Sequence, residues 1–103
     1  EAFAATSCMD LLAMGVTESK VYWLKPMGVE KAFQGYCDMK TFGGGWLLCY
    51  TGEGEVNMSE GYDAAKPHPM DGYRSDCRNY DFNEVMYFDH SMNGEGEDRV
   101  YFR

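Results

Sequence analysis

Four cysteines in 103 residues, Cys8, Cys37, Cys49 and Cys77, constrain this chain more than any other feature. They lie 29, 12 and 28 residues apart, so none forms the close CxxC pair of a zinc site. Two histidines, His68 and His90, are too few to complete such a ligand set. An even count of separated cysteines in a short acidic chain reads instead as two disulfides, and so as a secreted, extracellular setting. The length suits one domain. Its modest core gains from covalent staples.

Charge narrows the partners. Nine basic and 17 acidic residues leave a net charge of −8. A nucleic-acid binder needs a basic patch, and none is visible. The same sign disfavours anionic membrane surfaces. No apolar run approaches the roughly 20 residues of a membrane span. Asn57-Met58-Ser59 is an N-glycosylation sequon, which makes Asn57 a candidate modification site. Residues 1–6 are read as a tail without structure, of the kind left by signal cleavage or by an added leader.

Local patterns then place the elements. Ser7 can cap a short helix that carries Asp10 in its first turn and stops at Gly15. Lys20 to Lys25, Ala32 to Met39, Trp46 to Tyr50, Asn83 to His90 and Arg99 to Arg103 read as strands. In the second strand Phe33, Gly35 and Cys37 face one way, and Gln34, Tyr36 and Asp38 the other. The third, WLLCY, is apolar throughout, so it belongs at the centre of a sheet with both faces covered. Asn93-Gly94 is the turn signal of a C-terminal hairpin. Residues 51–72 read as loop. Gly43, Gly44 and Gly45 are expected to take positive φ and to let backbone pass close to Trp46. The fold class is α+β, mostly antiparallel β with one short N-terminal helix, in a single domain spanning residues 7–103.

The run from Ser7 to Trp46 resembles the opening of fibrinogen-like domains. The resemblance rests on Ser7-Cys8, Gly15-Val16, Val21-Tyr22, Tyr36-Cys37-Asp38-Met39, Thr41 and Gly43-Gly44-Gly45-Trp46. It covers residues 7–50. It implies a Cys8–Cys37 bridge, which leaves Cys49 to Cys77, and it implies extracellular recognition of a glycan or a partner protein. The family's calcium site and ligand pocket lie mainly in a later part with no counterpart here, so no residue is assigned to them.

Other chemistry has thinner support. Asp89, Asn93, Glu95, Glu97 and Asp98 offer oxygens but lack an EF-hand spacing, so no metal site is assigned. No cysteine remains as a nucleophile, and no GxSxG, HExxH or phosphate-loop pattern occurs, so the chain is read as non-enzymatic. Eight methionines accompany eight tyrosines, six phenylalanines and two tryptophans. Such residues fill cores, and they also make adaptable contact surfaces. The contact candidates are Tyr22, Trp23, Phe33, Tyr36 and Trp46 in the first half, and Met86, Tyr87, Phe88, Tyr101 and Phe102 in the C-terminal hairpin. They suit a recognition surface. Alternatively they would line a site for an apolar small molecule, of pigment or carotenoid type, held at the contacts of a homo-oligomer. No other cofactor is expected.

Overall fold

The structure is a computed structural model, and it describes residues 4–52, 68, 73, 75, 77, 80, 82–88 and 98–103. Helix α1 spans Cys8–Ala13. The Ser7 hydroxyl accepts the Asp10 N–H at 3.0 Å, which satisfies one of the donors that every helix start leaves unpaired. Gly15, at φ +91°, lets the chain turn away. One side of α1 buries Cys8 and Leu11.

Five strands follow: β1 (Lys20–Leu24), β2 (Phe33–Asp38), β3 (Trp46–Gly52), β4 (Val85–Phe88) and β5 (Asp98–Phe102). They form one antiparallel sheet in the order β1-β2-β3-β5-β4. The continuous apolar strand β3 sits at the centre, buried from Trp46 to Thr51, as its composition requires. It runs two residues beyond the expected end. β4 starts two residues later than expected, although the Asn83 and Glu84 N–H groups still bond the Arg103 carbonyl. The connection that carries Asn93-Gly94 lies outside the described residues.

Both disulfides form. Cys8–Cys37 ties α1 to β2 with Cα atoms 5.6 Å apart, and Cys49–Cys77 ties β3 to the later chain at 5.9 Å. The second anchor is reinforced by hydrogen bonds. β2 and β3 pair only at Cys37–Leu47 and Asp38–Trp46. Past that point Tyr73 bridges the two strands. Its hydroxyl donates to the Leu48 carbonyl at 2.8 Å and accepts the Tyr36 N–H at 3.0 Å. The Ser75 N–H bonds the Cys49 carbonyl at 2.9 Å.

Two local differences from the sequence reading have physical causes. Ala5 is not unstructured: it bridges Leu24 in parallel and is only 6% exposed. Its N–H and carbonyl take up the Trp23 carbonyl and Lys25 N–H, two edge groups of β1 that would otherwise lack a partner. The glycine run does take positive φ, at +87°, +83° and +81°. Beyond the adjoining residues, the closest approaches are to Met39 and Met9. A Cβ on Gly44 would overlap the Met39 carbonyl, and one on Gly45 would overlap the Met9 side chain.

The sheet has two unlike faces. On the helix side Leu24, Phe33, Leu47, Val100 and Phe102 pack with both disulfides, Leu11 and Tyr80. On the other side Trp46, Leu48, Tyr73, Met86 and Tyr101 form a smaller cluster, flanked by Tyr36 and Phe88.

Candidate recognition face

Strand register decides which side chains can act together. Val21 pairs with Tyr36 and Trp23 with Gln34. Asp38 pairs with Trp46, Leu48 with Tyr101, and Phe88 with Arg99. Since neighbours across a ladder share a face, six of the ten contact candidates stand on the second face: Trp23, Tyr36, Trp46, Met86, Phe88 and Tyr101. The other four lie on the helix side. There Phe33 and Phe102 are buried, and Phe82 stacks on Phe102 with ring centres 4.1 Å apart. Tyr22 is half-buried, its hydroxyl donating to the Glu18 carbonyl. Tyr87 is exposed, and its hydroxyl donates to Asp98 Oδ2 at 2.6 Å.

Burial divides the second face again. Trp46, Met86 and Tyr101 are buried. Trp23, Tyr36 and Phe88 are half-buried. His68 joins them: its ring stacks on Tyr36 with centroids 4.0 Å apart and meets Tyr73 edge-on at 5.9 Å. Burial, and then the nearby Arg99 charge, hold the His68 imidazole below its ordinary 6.5, so it is neutral at pH 7. Burial raises the Tyr36 hydroxyl, with Asp38 adding to the effect and Arg99 opposing it. At Asp38 burial acts upward, but hydrogen bonds from Thr41 and Lys40, with the Arg99 charge, outweigh it and keep the carboxyl low. The face therefore presents neutral aromatic rings beside one carboxylate and one guanidinium.

A second construction closes one end of this face. Arg103 lies over the Trp46 ring at 4.1 Å. Its guanidinium donates to the Phe42 and Gly44 carbonyls at 2.8 and 3.1 Å, and to both Glu84 oxygens at 2.9 and 3.1 Å. The Trp46 indole N–H bonds the Thr41 carbonyl at 2.9 Å. Phe42 is left at φ +44° with 73% of its surface exposed. None of the contact candidates includes Phe42, His68 or Arg103. An aromatic residue directly before three glycines was a usable sign of an exposed turn. The contacts of Arg103, some 60 residues away in sequence, left no local signal.

The arrangement offers ring faces beside a few polar groups. His68 touches tyrosine rings. Among the described residues no three His, Cys, Asp or Glu side chains gather as a metal set. Of the acids considered for calcium, Asp98 is buried and accepts from Tyr87, while Asp89, Asn93, Glu95 and Glu97 lie outside the described residues, as do His90 and Asn57. No helix among the described residues is long and apolar enough to cross a membrane. The class is thus a small disulfide-stapled sheet with an aromatic face.

Comparison with known proteins gives the family. The chain belongs to the fibrinogen beta and gamma chain, C-terminal globular domain family, whose pattern matches residues 4–68. It is 43% identical over 58 residues to human fibrinogen C domain-containing protein 1, a match covering 55% of this chain and 13% of that protein. It is 44% identical over 41 residues to human fibroleukin, covering 40% and 9%. Mouse angiopoietin-4 is 33% identical over 60 residues, covering 57% and 12%. The matched stretch is therefore a small part of each relative. Domains of this family typically serve extracellular recognition and are generally non-enzymatic.

Proposed function

We propose that this chain is a secreted, non-enzymatic recognition module that takes a glycan or an extracellular protein partner on the second face of its sheet. One observation carries the reading: Trp23, Tyr36 and His68 stand half-buried on a face whose backbone is fixed by five paired strands and a disulfide to β2. Rigid aromatic side chains offer large contact area for little ordering cost. Gln34, Asp38 and Arg99 add polar groups of the kind that give such a contact direction.

Family membership supports the extracellular setting, and two disulfides suit an oxidising compartment. The carrier alternative gains nothing here. Phe33, Trp46, Met86, Tyr101 and Phe102, half of the residues that would line an apolar chamber, are spent in the core.

The test uses immobilised mono- and disaccharides. Retention of the chain, released by free sugar and lost in Trp23→Ala or Tyr36→Ala with folding intact, supports the glycan form. Retention that both variants keep would contradict the assignment of this face. No retention on any sugar moves the reading to a protein partner on the same residues.

A further inference from the structure

We propose that the chain associates with a second copy of itself, the Phe42 ring of one copy entering an open groove beside α1 of the other. Knob and groove are both on the page. The groove measures about 430 Å³, room for an aromatic ring, and is lined by Ala4, Ala5, Thr6, Asp10, Ala13 and Met14. Its walls are mostly methyl and thioether groups. The knob is Phe42, an aromatic side chain with no polar atom, turned outward at a backbone conformation (φ +44°, ψ +47°) that bulky residues avoid.

That conformation is held from three directions. Asp38 accepts the Lys40 and Thr41 N–H groups, Trp46 bonds the Thr41 carbonyl, and Arg103 bonds the carbonyls of Phe42 and Gly44. Strain persists only where the surroundings over-determine it, and it gathers at contact sites. A loop backbone fixed in advance loses little freedom on docking.

Charge selects the occupant. Lys40 stands two residues before Phe42, and Asp10 lines the groove; both are exposed, and neither side chain makes an ion pair among the described residues. When Phe42 enters a neighbour's groove, Lys40 approaches a rim that carries Asp10. The chain's own Phe42 leaves its own groove open, since the loop rests against Met9 and the ring remains in solvent. Copies can therefore pair reciprocally or in line.

Sedimentation velocity on the full chain over a concentration series tests this. The wild type should show reversible association, and Phe42→Asp should weaken it by about tenfold or more. Lys40→Glu and Asp10→Lys should each weaken it, and the two together should restore it. Thermal melting should show every variant folded, since all three positions are at the surface. A wild type that stays monomeric throughout would overturn the proposal. So would unchanged association in Phe42→Asp, or a double charge swap no tighter than its singles.

Discussion

The two faces of the sheet are covered to different degrees. On the helix side, aliphatic and aromatic side chains, two disulfides and α1 leave little apolar surface free along β2 and β3. On the other side, rings do the packing, and part of their area stays in contact with solvent. Side chains covered by α1 and the disulfides contribute by burial alone. Aromatic rings keep a polarisable face or a hydroxyl that still binds when half-covered. The helix side is thus closed by its own packing, while the second side keeps part of its ring area in solvent.

This contrast can be broken at several points. The largest effect should come from reducing the disulfides. The chain-entropy model gives roughly 3–4 kcal/mol for Cys8–Cys37 alone, and thermal melting with and without reductant should show a steep fall. An unchanged transition would mean that the helix side does not depend on its staples. Next is Trp46→Ala. Trp46 is the part of the aromatic face that is core, 4% exposed beneath Arg103, and its truncation should cost about 3–5 kcal/mol by denaturant unfolding.

Smaller effects sharpen the picture. Gly44→Ala should cost about 1–3 kcal/mol from backbone conformation alone, before its overlap with the Met39 carbonyl. Gly43→Ala should cost less, because its nearest group, an Arg103 guanidinium nitrogen, lies at an ordinary contact distance of 3.8 Å. Equal losses in the two variants would contradict the loop geometry. Acid should also destabilise. His68 and Asp38 are both held below their ordinary values of 6.5 and 3.8, so the unfolded chain binds their protons more readily. Stability therefore rises with pH across both windows, and melting temperatures should begin to fall as pH drops below about 6.5. His68→Gln should remove that first step and leave the later one.

Much of the fold was legible in particular residues. Ser7, the alternation of Phe33, Gly35 and Cys37, and the unbroken apolar run of β3 each prescribe their element by local rules. The cysteine pairing came from resemblance, and the structure agrees with it. What escaped depends on distant partners. Ala5 is ordered by the edge of β1, and Tyr73 spans strands that lie 25 and 37 residues before it. The candidate site was half visible. Aromatic content marked the residue types, but only strand register separates Trp23 and Tyr36 from the buried Phe33 and Phe102.

The central claim is that the aromatic face holds residues not needed by the fold. Comparing the melting temperature of Trp23→Ala with that of Trp46→Ala tests it most directly. The account predicts a loss of about 1–2 kcal/mol for the half-buried Trp23, well under that of Trp46. A Trp23→Ala loss as large as that of Trp46→Ala would place Trp23 in the core and leave no spare aromatic face for recognition.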